Sequence, residues 1–378
     1  MKFYQRCTYC ILDTTDKDIT FDIDGRCSHC SEWLPRVQNL PQSTAETETN
    51  LDLIAKKLKL EGKGKRYDCM IGLSGGVDSS YIAYLAHKMN LRPLIVHFDN
   101  GWNSELAISN IEKIVKKCDF ELTTLVVEWK EFRELQKAYL SASVIDIEVA
   151  TDHAIIATMF QNARKYNIKY LLSGGNIATE TGMPNKWTWP KKDLTNLKNI
   201  HRAFSTVPLK TYPTRSIWTD IFEKKFLSQV VDIRILDQIK YNKSEAIKML
   251  EEQFGWQYYG GKHYESVFTK FYQAYILPTK FKIDKRLVHL SSLIRNGEMT
   301  RKDALEELEL PLYVENIFLE DREYVLKKLE MSSAEFASIM KAEPIEHIEY
   351  GSDYINLNKL KWIYRILKNK KQLFVVKK

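Results

Sequence analysis

MIGLSGGVDSS, residues 70–80, decides how the rest of this chain is read. It closes a short apolar run, YDCMIGL (67–73), and leads into a helical pattern from Ser79 to Asn90, so strand, glycine turn and helix follow in that order. Backbone N–H groups at the start of a helix, aided by its dipole, favour an anion. Open α/β sheets also bind their ligands at that edge. Glycine is used sparingly, 15 in 378 residues, yet seven of them fall at 72/75/76, 174/175 and 260/261. Such placement marks points where backbone must pass close to something. No Walker loop, Gly-x-x-x-x-Gly-Lys-Ser/Thr, occurs anywhere. The plain alternative is a glycine turn whose Ser and Asp only cap the helix.

Outward from this stretch the same alternation continues. RPLIVHF (92–98), ELTTLVVE (121–128) and IKYLLS (168–173) read as strands, and 104–118, 130–140 and 152–167 as helices. The fold class is therefore α/β, a mostly parallel sheet covered by helices on both faces. Two further strand ends, HFDNGW (97–102) and SGGN (173–176), point to the same edge as the glycine turn. Met183 to Ser216 breaks the pattern with four prolines and no clear periodicity, as lids and binding loops do. From Ile217 onward the chain reads helical, over 217–231, 243–254, 265–277, 284–295, 301–309 and 320–330. Residues 35–50 are polar and read as a linker. Three units result: 1–50, a cysteine module with its linker; 51–216, the sheet domain; and 217–378, a helical region.

Cys7-x-x-Cys10 and Cys27-x-x-Cys30 are separated by the sixteen residues 11–26, a spacing that suits a closed four-thiolate zinc site with a structural role. A redox or sulfur-carrying set is the competing reading. Cys69 and Cys118 stand alone and read as small core residues. With 56 Lys+Arg against 49 Asp+Glu, a net +7 is too mild to indicate nucleic acid. Apolar runs such as Tyr81–Ala86 fall far short of the ~18 residues of a membrane span. The start, MKFYQRCTYC, has no apolar signal region, so a cytoplasmic protein is expected.

SGGVDS resembles the pyrophosphate loop of the N-type ATP pyrophosphatases, whose domain is the adenine nucleotide alpha hydrolase-like fold of the HUP type. Combined with RCTYCILDTTDKDITFDIDGRCSHC, LIVHFDNGWNSE and WQYYGGKHYESVFTKFYQAYILPTKFKIDKR (256–286), it resembles the N-acetyl sugar amidotransferase family, the WbpG- and PseA-like enzymes of surface-glycan and LPS O-antigen biosynthesis. The resemblance implies ATP and Mg²⁺ as well as Zn²⁺. Ser74, Gly75, Gly76, Val77, Ser79 and Ser80 would surround the pyrophosphate, with Asp78 helping to hold Mg²⁺. His97, Phe98 and Asp99 would meet the adenosine, and Gly174, Gly175 and Asn176 the adenine edge or ribose. Conversion of a sugar acetamido group to an acetamidino group is the implied reaction. No glutaminase domain is recognisable and position 2 is Lys, so the resemblance also implies a separate glutamine amidotransferase partner, similar to the paired glutaminase and cyclase of histidine biosynthesis.

Within the C-terminal motif, Lys262 is the first candidate for a phosphate contact, and His263 or Glu265 for moving a proton. Lys270 and Lys280 read more readily as a solvated helix face. Between Met183 and Ser216 seven Lys/Arg, one acid (Asp193), Trp187, Trp189 and His201 suit a nucleotide-linked sugar, or an ordinary surface loop. The basic tail 359–378 reads as a solvated element. Two other functions compete: a tRNA-thiolating enzyme sharing the pyrophosphate loop, and a non-catalytic nucleotide-binding scaffold subunit.

Overall fold

A computed structural model describes residues 3–226, 230–260, 264–355 and 357. Two helices, α1 (Ser28–Gln38) and α2 (Thr44–Glu61), lead into the sheet domain. The stretch read as a linker thus holds the end of one helix and the start of the next. Its signal is a capping box: Ser43 takes the N–H of Glu46 while the Glu46 carboxylate takes the N–H of Ser43.

Strands and helices then alternate: β1 (Cys69–Gly72), α3 (Val77–Lys88), β2 (Pro93–Asp99), α4 (Glu105–Cys118) and β3 (Glu121–Val126). After α5 (Trp129–Ser141) and α6 (Val149–Lys165) comes β4 (Tyr170–Ser173). All strand pairs are parallel and the order is β3-β2-β1-β4-β5. Chain direction along the sheet reverses at β1, so the crevice between the ends of β1 and β4 is the switch point where such sheets bind ligands. Period-two alternation divides the strand residues between two cores. Cys69, Ile71, Ile95 and Leu172 pack toward α3 and α4, whereas Met70, Leu94 and Val96 pack with Met159 and Ala163 of α6. Each fully buried aliphatic side chain contributes about 1.5–3 kcal/mol.

Two elements depart from expectation. Inside 183–216 lies α7 (Leu194–Phe204), started by the buried Asp193, whose carboxylate accepts the N–H of Asn196. After α8 (Ile217–Phe226), the region read as wholly helical contains β5 (Val231–Arg234), which pairs with β4 and carries the sheet past residue 216. Being a four-residue edge strand with mostly exposed side chains, β5 shows little apolar signal.

The remainder is helical: α9 (Lys243–Phe254), α10 (Val267–Phe271), a π-helical segment Tyr272–Phe281, then α11 (Arg286–Asn296), α12 (Arg301–Glu309), α13 (Glu315–Lys328) and α14 (Ser333–Lys341). These helices do not stand apart. Residues 265–267 run antiparallel to 102–104, with Ser104 N–H donating to Glu265 O (2.8 Å) and Val267 N–H to Trp102 O (3.0 Å). The cysteine segment packs on α11 and α12 in a shared core with Leu287, Val288, Leu290 and Ala304. Both attachments bring distant sequence to the edge of the sheet.

Candidate functional site

Ser74, Gly75 and Gly76 form the turn between β1 and α3, and the turn is braced from several sides. Ser79 Oγ lies 3.3 Å from Ser74 N and 3.2 Å from Ser74 Oγ, and donates to Gly76 O. Gly75 has φ +82°. The Trp256 indole N–H donates to Gly75 O at 3.1 Å, and the Val77 N–H donates to the Tyr259 hydroxyl at 3.3 Å. Tyr241 donates its hydroxyl proton to the Asp78 carboxylate. Burial holds both tyrosine hydroxyls well above their ordinary pKa, aided by Asp78 for Tyr241 and by Glu265 for Tyr259, so both stay protonated. A Cβ on Gly76 would lie 3.2 Å from Tyr259 Oη and 3.5 Å from Glu265 Oε1, which puts Glu265 of the C-terminal motif at the glycine turn.

The other sequence candidates divide. A Cβ on Gly174 would lie 3.4 Å from Asp78 Cβ, so the end of β4 touches the start of α3; Gly175 sits beside Arg234 of β5. Asn176 is buried and shapes its own turn, accepting from Thr179 N (2.7 Å) and donating to Gly174 O (3.1 Å). His97 donates from Nδ1 to Leu73 O (2.9 Å), and its Nε2 accepts from Asn103 (3.2 Å), which ties the ends of β1 and β2 together. Asp99 accepts from Gly101 N (2.8 Å) and Asn103 (3.2 Å) and forms a turn. Phe98 lines the cavity described next. Val77 and Ser80 face inward from α3, buried. Lys262 and His263 lie outside the described residues, as does the tail 359–378.

A cavity of about 480 Å³ opens beside Ser74, His97 and Phe98. That is within the size range of small-molecule sites. Its far wall was not foreseen: Asp146, Glu148 and Asp152 meet Lys191 and Lys285 there. Lys191 bridges Asp146 (2.7 Å) and Asp152 (2.9 Å), and the buried Asp146 also accepts from Trp189 N and Thr188 Oγ1. Burial pushes the Asp146 carboxyl up, but Lys191 and Lys285 outweigh it and hold the pKa below the ordinary value. Four of the seven cations of the loop 183–216 are thus paired within the protein, Lys186 with Asp18 among them. Lys192 and Arg215 pair with Asp220, and Arg215 also with Glu223. Trp189 is stacked on His347, 4.9 Å between centroids, so its face is already covered. Among the motif cations, Lys270 pairs with Asp321, Lys280 donates to Ile339 O and Arg286 pairs with Asp284.

Two buried histidines hold this wall. His347 Nε2 accepts the N–H of Asp146 (3.2 Å), while His153 Nε2 accepts that of Arg215 (3.0 Å) and its Nδ1 donates to Lys191 O (2.8 Å). Burial lowers both pKa values to about 4. The unfolded chain, near 6.5, takes up these protons first, so stability is full above pH 6.5 and falls toward pH 4. At pH 5 the loss should be about 2 kcal/mol per ring. Urea midpoints at pH 7.5 and 5.0 will show it, and His347→Gln should flatten the dependence; an unchanged slope would refute the assignment.

The four N-terminal cysteines form the one cluster of potential metal ligands among the described residues, with all four Sγ within 4.8 Å of one another and fully buried. Cys7 and Cys30 Sγ are 3.9 Å apart, and Cys10 and Cys27 Sγ 3.7 Å. A tetrahedral zinc with Zn–S bonds of about 2.3 Å spaces its sulfurs by about 3.8 Å. The donor set fits zinc, and N–H groups of Cys10 and Cys27 point at Cys7 Sγ as they do around thiolates. Arg301 anchors the site by donating to Cys7 O (3.1 Å) and Cys10 O (3.0 Å).

Residues 265–364 match the family model for the C-terminal domain of WbpG-like LPS biosynthesis proteins, and residues 67–175 match that of asparagine synthase. Together these matches support the WbpG-like LPS biosynthesis amidotransferase family. The second match covers β1 through β4 with the glycine turn and supports ATP use, and the two matches together support an enzyme of the amidotransferase kind with a role in LPS biosynthesis. None of the curated proteins matches. Similar solved structures include an NMN synthetase from Francisella tularensis, with 17% identity over 36% of this chain and a TM-score of 0.29. An NH3-dependent NAD synthetase from Campylobacter jejuni subsp. jejuni has 10% identity over 71% of this chain and 99% of its own, with a TM-score of 0.30. The chain spans 57% of the NMN synthetase. No helix among the described residues is long and apolar enough to cross a membrane.

Proposed function

We propose that this WbpG-like protein converts the acetamido group of a sugar, carried on a nucleotide, into an acetamidino group, at the expense of ATP. An amide is a poor electrophile, so its oxygen must first become a leaving group. The acetamido oxygen attacks the α-phosphorus of ATP and pyrophosphate departs. Ammonia then adds to the carbon of the resulting O-adenylyl imidate, and AMP leaves with the C–O electron pair. Acetamide, ATP and ammonia thus become amidine, AMP and pyrophosphate.

The observation that carries this reading is the Ser74–Gly76 turn at the β1/β4 switch point, which opens α3 and is held by Ser79, Trp256 and Tyr259. The start of a helix favours an anion, and phosphate oxygens would take over the N–H groups of Ser74, Gly76 and Val77 from Ser79 Oγ, Ser74 Oγ and Tyr259 Oη. Asp78, beside Gly174, suits a Mg²⁺ bound mainly through phosphates, since that ion takes one or two protein carboxylates. When bound, Mg²⁺ would neutralise the leaving charge. Glu265, whose Oε1 lies near the turn, we assign to proton transfer. We assign Lys262 to a phosphate contact and His263 to proton transfer on their sequence alone. Nitrogen would come from a separate glutaminase, because ammonia at neutral pH is mostly protonated and inert.

Thiolation fits less well. Burial raises the Cys69 thiol well above its ordinary range and pushes Cys118 up to about 11, the reverse of what a sulfur carrier requires. The test is ATP–pyrophosphate exchange with a panel of acetamido nucleotide sugars, followed by mass spectrometry after adding ammonium. Sugar-dependent exchange and a product lighter by about one mass unit are expected. Exchange with tRNA alone, or ADP as product, would overturn the proposal.

A further inference from the structure

A second cavity, about 460 Å³, lies among α9, α11, α12 and the π-helical segment. It shares two lining residues with the first cavity, Gln273 and Lys285. The partition is thin and made of side chains. Gln273 Nε2 donates to Glu148 Oε2 at 3.3 Å, and Lys285 Nζ reaches the same oxygen at 3.5 Å. Both contacts are at the long limit of a hydrogen bond and cost little to break. Gln273 sits in the first turn of Tyr272–Phe281, a ten-residue π-helix. That backbone form is uncommon and, where it occurs, is frequent at functional positions.

We infer that the second cavity is the intake for ammonia and that Gln273, Glu148 and Lys285 form the latch through which it enters the first. This rests on the proposed amidine chemistry and extends it. ATP and sugar must both occupy the space beside Ser74, so nitrogen needs a route of its own. Water reaching the imidate would return the starting amide and AMP and waste the ATP spent, which favours a path closed until a small guest passes. Glu148 and Gln273 offer acceptors at the latch for the N–H bonds of ammonia. Leu310, 60% exposed, marks the outer rim where a donor would deliver it.

Two variants fill the second cavity without touching the first: Ala274→Leu on the π-helix and Leu312→Trp nearer the rim. With a sugar that supports exchange in the unaltered protein and ammonium chloride as nitrogen source, the KM for ammonium should rise about tenfold or more. Sugar-dependent exchange, which needs no nitrogen, should stay within about twofold. Methylamine, being bulkier, should be affected more than ammonium. An unchanged ammonium KM in folded variants overturns the intake, and so does a loss of exchange parallel to the loss of amidine. Should Ala274→Leu fail to fold, Leu312→Trp decides alone. If the unaltered protein supports no exchange with any acetamido sugar, the amidine chemistry itself has failed and the intake falls with it.

Discussion

Gly75→Ala should abolish sugar-dependent ATP–pyrophosphate exchange, lowering it by about 10²–10³-fold. Two effects add. At φ +82° a side chain costs about 1–2 kcal/mol by itself. The new Cβ would also lie 2.5 Å from Ala107 O, a backbone atom at the start of α4 that cannot turn aside. Either the turn or α4 must shift, and the N–H groups proposed to meet the leaving pyrophosphate shift with it. Gly64→Ala is the control: its φ is +78° but nothing lies within 4 Å of the added carbon. It should cost the backbone term alone and leave exchange intact. Equal activity in the two variants would show that the turn does not grip phosphate.

The second large effect is expected at the cysteines. Cys30→Ser should reduce bound zinc from about one equivalent to none and unfold the segment around it, because four-thiolate sites contribute about 10–16 kcal/mol in small modules. That exceeds the whole stability of many domains. The damage should travel, since Ile11 and Leu12 are fully buried in one core with Leu287, Val288 and Ala304 of α11 and α12. Metal analysis with thermal denaturation reads both consequences. Cys118→Ala, away from the cluster, should keep its zinc. Retention of zinc by Cys30→Ser, or an unaltered melting curve without it, would remove the structural role.

Much of this architecture is legible in the sequence because its signals are local. Apolar runs at 67–73, 92–98 and 168–173 are strands buried on both faces, and the glycine turn is fixed by its neighbours. α7 escapes notice because only Leu194, Leu197 and Ile200 mark its apolar face amid prolines and cations, and Asp193 looks like a lone acid until it is seen capping the helix. Partners that act over long separations leave no local trace. Tyr241 and Tyr259 reach the turn from 163 and 182 residues away. Nor can composition reveal that Lys191, Lys192 and Arg215 are spent on Asp146, Asp152, Asp220 and Glu223 rather than offered to a ligand. The two-cysteine pairs were readable as a metal site, but not that helices from the opposite end of the chain would support it.

The bond from Arg301 to Cys7 spans 294 residues of chain. During translation the metal knuckle emerges first and must wait, its apolar side uncovered, until α11 and α12 leave the ribosome. The growing polypeptide therefore carries an exposed apolar surface until those helices are made. Nascent chains halted before residue 286 should depend on holding chaperones far more than the finished protein does.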